Sequence, residues 1–177
     1  MFPLIHFPQS FTKPVQPAIS AQAEVPLLFY GSSLIVRASL NGQSGWFVLD
    51  SGNPMTTLAP GVLKAMGPQA AKLPYQSNDL DVYQVPHLRI GGCELPSILC
   101  SSGSPDSSNE LPVKISGVLG YDALRSFTFG IDFDQMKAEF WRSGFGQPSK
   151  NSFFSARQPV ERIPLVTQDS WPWVSVS

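Results

Sequence analysis

Trp46-Phe47-Val48-Leu49-Asp50-Ser51-Gly52 is an apolar run that ends on a carboxylate, a hydroxyl and a glycine. The first four residues are aromatic, β-branched or aliphatic and read as a strand. Asp50 follows it without a break, so its carboxylate sits at the end of a rigid element. Gly52 permits a tight turn and the close approach of another backbone. Upstream, Leu34, Val36, Ala38 and Leu40 alternate with Ile35, Arg37 and Ser39, which is the period of a second strand. Asn41-Gly42 between the two runs is a strong hairpin signal. A lone Asp-Ser/Thr-Gly arises by chance in roughly one chain in ten of this length. Its place after a hairpin strand is what makes it informative.

Farther out, Leu58 to Gly67 reads as one short helix, with Pro60 suiting its start and Gly67 its end. Residues 75–100 read as strands broken by Gly91-Gly92 and by Pro96, and Ser101 to Asn109 as a polar loop. Ile115-Ser116-Gly117-Val118-Leu119-Gly120 is an apolar run with two glycines, and Tyr121 to Ser126 suits a helical turn or two. Phe127–Asp132 and Lys137–Trp141 read as a strand pair around the turn Phe133–Met136. Residues 1–23 are Pro-rich and aperiodic, an extended arm or leader. Ala21-Gln22-Ala23 has the small-x-small form of a signal-peptidase site, the one hint of export, but no clean apolar stretch precedes it. Ordered structure is expected from Val25-Pro26-Leu27 onward. The expected organisation is a lobe over 24–142, a linker over 143–160, and 161–177 as the start of a second, truncated lobe or a C-terminal strand. The motive for the second lobe is a short repeat. Glu161-Arg162-Ile163-Pro164-Leu165 resembles Glu24-Val25-Pro26-Leu27, and alignment on the prolines sets Pro172–Val176 opposite Leu34–Ala38.

At 177 residues the chain holds one ordinary domain and not two sizeable cores. Seventeen Pro and fourteen Gly, with only 14% charged residues, suit short strands and turns better than long helices. The net charge of −1 supplies no basic field for nucleic acid or acidic membranes. No stretch approaches the roughly 20 apolar residues of a membrane span. Cys93 and Cys100 are expected as buried or half-buried thiols, and His6 and His87 stand apart, so no metal site is expected.

Two blocks in this order resemble retropepsin-like aspartyl proteases, specifically bacterial proteases related to the retroviral ones. They are Val36 to Leu58, with its Asp50-Ser51-Gly52, and Ile115 to Trp141, with Gly117-Val118-Leu119-Gly120-Tyr121-Asp122-Ala123-Leu124-Arg125-Ser126-Phe127 and Ile131-Asp132-Phe133. The resemblance implies an all-β acid-protease barrel, of the retropepsin or pepsin-lobe kind, with one or two short helices. It implies that Asp50 is catalytic, and that Ser51, Gly52, Asn53, Val118, Leu119 and Gly120 support its loop. It also implies a hairpin flap between Leu73 and Val85, where Tyr75 or Tyr83 is placed to touch substrate. Asn53-Pro54 departs from the family, which usually has Ala or Ser after the triplet. An Asn amide there can donate to the outer oxygen of Asp50.

Aspartic proteolysis needs two carboxylates that share a proton and a water. The chain has one Asp-Ser/Thr-Gly, so a second must come from a homodimer partner or from a second lobe. The expected activity is therefore an aspartic-type endopeptidase half-site acting on peptide or protein, with no cofactor. The alternatives are a non-catalytic module that grips extended peptides by strand addition, and a β domain in which Asp50 is a turn residue.

Overall fold

Asn41 and Gly42 both take positive φ, 47° and 81°, as a two-residue hairpin turn between twisted strands requires. They join the first long hairpin in a computed structural model of the chain, which describes residues 20–74, 80–104, 113–142, 165–168 and 171–174. The strands in chain order are β1 (Gln22–Tyr30), β2 (Ser33–Leu40), β3 (Gln43–Leu49), β4 (Thr56–Leu58), β5 (Ala71–Lys72), β6 (Val82–Ile90) and β7 (Cys93–Ser102). They continue with β8 (Ile115–Leu119), β9 (Phe127–Asp132), β10 (Lys137–Arg142), β11 (Leu165–Gln168) and β12 (Trp171–Val174). Two short α-helices interrupt them, α1 (Pro60–Met66) after β4 and α2 (Tyr121–Leu124) after β8, and a 3-10 turn (Gly67–Gln69) follows α1. None among the described residues is long and apolar enough to cross a membrane.

Strands β2, β3, β8, β4, β7 and β6 are hydrogen-bonded in cyclic order, and β6 returns to β2 through Ser39–Arg89 and Leu40–Leu88. The result is a closed six-strand barrel, the all-β architecture expected. Closure leaves its strands without free edges. Val36, Leu40, Phe47, Leu58, Val85, Leu88 and Leu119 are buried in one core cluster. Strands β1, β10 and β9 extend the sheet outward from β2. Phe140 there packs edge-on against Phe127 and stacked on Phe129, each at 5.7 Å between ring centres. Cys93 and Cys100 are buried free thiols.

Three boundaries differ from the expectation. Ordered structure starts before Val25, because Gln22 and Ala23 already pair with Trp141 and Phe140 of β10. Ala21-Gln22-Ala23 thus leads directly into the sheet. Pro96 does not break its strand. The β6–β7 ladder runs on either side of the His87–Pro96 position and skips it. Pro96 has no N–H to give there. His87, at φ 53°, turns its carbonyl to the Asn41 N–H at 3.1 Å. The proline therefore falls just before the stretch where β6, still paired with β7, also takes β2 as a partner. Third, β7 continues through Ser101 and Ser102, which pair with Thr57 and Leu58 of β4. Ser101 is buried, and its hydroxyl lies 3.2 Å from that of Thr57. The linker over 143–160 lies outside the described residues. The chain's last described element is a hairpin, β11–β12, not a single strand.

Candidate active site

Strand β8 lies between β3, to which it is parallel, and β4, to which it is antiparallel. The loop from Asp50 to Met55 connects β3 to β4, so it must pass over the C-terminal end of β8. Consecutive groups at that end hold the loop. The Asp50 N–H donates to the Leu119 carbonyl at 3.1 Å, and the Tyr121 N–H donates to the Asn53 carbonyl at 2.7 Å. Between them, the Gly120 N–H donates to Thr56 Oγ1 at 3.1 Å. Val118 pairs with both Val48 and Thr57, and Leu119 is fully buried. Gly120 is required by space. A Cβ there would stand 2.7 Å from the Asn53 carbonyl oxygen and 2.7 Å from the Met55 carbonyl carbon. The structure thus brings Val118, Leu119 and Gly120 together with the Asp50 loop.

Asp50 itself is exposed. The Gly52 N–H donates to its Oδ1 at 2.9 Å, and the Asn53 N–H donates to its carbonyl at 3.1 Å. The turn therefore fixes both the backbone and one carboxylate oxygen, the latter by a charge-assisted bond. Ser51 is exposed beside it. The Asn53 side chain does not reach Asp50 as expected. Its amide points the other way, to Thr57 Oγ1 at 3.5 Å, the outer limit of a hydrogen bond. The turn uses the backbone N–H of Asn53 instead.

Two residues of the site were not singled out in the sequence, Thr56 and Asp122. Thr56 is fully buried and donates its hydroxyl to Asp122 Oδ1 at 2.9 Å, while its backbone N–H donates to the same oxygen at 2.8 Å. With the Gly120 N–H on its hydroxyl, Thr56 joins the loop, the end of β8 and the first turn of α2. Burial pushes the Asp122 carboxyl above its ordinary range, against the pull of the Thr56 hydrogen bonds and of Arg125. Burial, with the charge of Asp122 adding to it, pushes the Cys100 thiol up to about 12. The sequence signal for this pair is slight, because the partners are 66 residues apart.

A flap is expected between Leu73 and Val85, and residues 75–79 of that stretch lie outside the described residues. β5 and β6 form a hairpin in which Lys72 pairs with Tyr83, and the Leu73 N–H donates to the Val82 carbonyl at 2.8 Å. Tyr75 lies outside the described residues. Tyr83 is half-buried and packs against the core cluster. Among the described residues no group of three or more His, Cys, Asp or Glu is placed to hold a metal ion.

No family model and no curated protein matches this chain. It is similar to the crystal structure of a retropepsin-like aspartic protease from Rickettsia conorii, at 19% identity and a TM-score of 0.48, over 67% of this chain and 88% of that one. It is also similar to the crystal structure of the retroviral protease-like domain of Ddi1 from Leishmania major, at 12% identity and a TM-score of 0.42, over 59% of this chain and 85% of that one. Both are likenesses of fold.

Proposed function

We propose that this chain is one half of an aspartic-type endopeptidase and that Asp50 is its catalytic carboxylate. The observation that carries the reading is the contrast at the loop. Its frame is tied to Leu119, Gly120 and Tyr121, while the Asp50 carboxylate it carries is exposed. A turn that served only to reverse the chain would not need a crossed strand beneath it. Preorganised geometry of this kind is what positioning a reacting group requires.

In the proposed reaction Asp50 pairs with a second carboxylate from outside residues 20–142. Like charges so close do not both ionise, so the pair shares one proton. The ionised member takes a proton from a bound water, whose oxygen attacks the peptide carbonyl carbon. The protonated member polarises that carbonyl, and the leaving amine then receives a proton as the C–N bond breaks. Ser51, Gly52 and Asn53 shape the turn, and Val118, Leu119 and Gly120 support it. Peptide in extended form is the substrate class that suits a lobe built of strands.

The experiment is cleavage of a peptide library by the assembled protein across pH, with and without pepstatin. The expected result is cleavage with a bell-shaped pH profile, blocked by pepstatin, since the titration belongs to the pair. Peptide binding without cleavage at any pH would favour the non-catalytic module.

A further inference from the structure

The C-terminal hairpin can be compared strand by strand with the hairpin that opens the lobe. Aligning Pro164 on Pro26 sets an offset of 138 between the two stretches of sequence. Under that offset Leu165 corresponds to Leu27 and Val174 to Val36. In the structure Leu27 pairs with Val36, and Leu165 pairs with Val174. The match holds at every rung. Leu28–Ile35, Phe29–Leu34 and Tyr30–Ser33 correspond to Val166–Trp173, Thr167–Pro172 and Gln168–Trp171. Two residues separate the strands in each case. Two-residue connections are the commonest in hairpins, so their length alone means little. What is informative is that the reversal falls at the place the proline alignment sets.

A second observation bears on what this hairpin needs. Among the described residues β11 and β12 form a sheet of their own, bonded to none of the other ten strands. A two-stranded hairpin alone is marginal in water and requires further strands or a packed face. Its counterpart β1–β2 has them. β10 pairs with the first half of β1, and β3 and β6 pair with β2.

We propose that β11–β12 is the opening hairpin of a second lobe of the same kind in the same polypeptide, and that this lobe supplies the carboxylate that pairs with Asp50. The inference rests on the aspartic-dyad reading for its functional half. The hairpin repeat stands without it. A lobe joined through the chain holds its Asp at an effective concentration in the millimolar range, so pairing does not depend on protein concentration. A homodimer built on Asp50 from two chains would depend on it.

The test is made on the product of the whole reading frame that contains these residues. The offset carries Asp50 to a point near position 188, so an Asp-Ser-Gly or Asp-Thr-Gly is expected there. The particle should contain one chain by sedimentation. Its cleavage per mole should stay constant over about a hundred-fold dilution. A frame without that triplet overturns the proposal. So does a two-chain particle whose cleavage per mole falls with dilution. A single-chain particle with the triplet in place that cleaves nothing counts against the dyad reading and supports the second lobe.

Discussion

Thr56 is where the Asp50 loop re-enters the barrel, and its hydroxyl works in both directions. It accepts from the Gly120 N–H and donates to Asp122. Thr56→Val keeps the shape and leaves a buried N–H without its acceptor. The expected loss of stability is about 1–3 kcal/mol by urea unfolding, with Thr56→Ser largely restoring it. Asp122 makes a prediction of opposite character. Its folded pKa lies above the unfolded one, chiefly through burial. Its contribution to stability is thus full below the unfolded pKa and is lost as pH rises through the folded pKa. Asp122→Asn keeps an oxygen for Thr56 and removes the buried charge. Relative to wild type, the variant's Tm should rise from acid to neutral pH, and a variant Tm that falls relative to wild type over that range would contradict the assignment. Asp50 was legible in sequence because strand, acid and glycine are contiguous. Thr56 and Asp122 were not, because their meeting depends on β8 lying between β3 and β4.

Hairpins are the elements that the sequence declared most openly, since Asn41-Gly42 and Gly91-Gly92 carry their turn chemistry locally. The point where β6 takes β2 as a second partner was hidden. Pro96 signals a break in isolation and is harmless opposite His87, where the ladder has no bond to lose. The same hairpin carries a buried acid, Glu94, held by His87 Nδ1 at 2.7 Å and by Arg89 Nε. The His87 hydrogen bond first, and then Arg89, hold its carboxyl below the usual range despite burial. This contribution is present above the unfolded pKa and is lost as pH falls through the folded one. Glu94→Gln should therefore lower Tm most at neutral pH, and the gap to wild type should close on acidification through the carboxylate range. Thermal melts of both proteins from neutral to acid pH check this. A gap that is constant with pH would show that the tie contributes only shape.

At the scale of the whole molecule, the closed barrel explains why a loop of six residues can present one carboxylate so rigidly. β3, β8 and β4 are consecutive strands of a ring, and a loop anchored on both flanks of β8 cannot shift without opening the ring. The all-β architecture followed from short alternating runs and dense Gly and Pro. Closure through β2 and β6 did not, since those strands meet at only two rungs far apart in sequence. One exposed Asp does not hydrolyse a peptide, so activity belongs to the assembled molecule. The direct measurement is library cleavage by the assembled protein against its Asp50→Asn variant, with an unchanged thermal melt as the control for folding. Turnover is predicted to fall by at least about a thousand-fold. Undiminished cleavage in Asp50→Asn, insensitive to pepstatin, would contradict the assignment of Asp50 as the catalytic carboxylate.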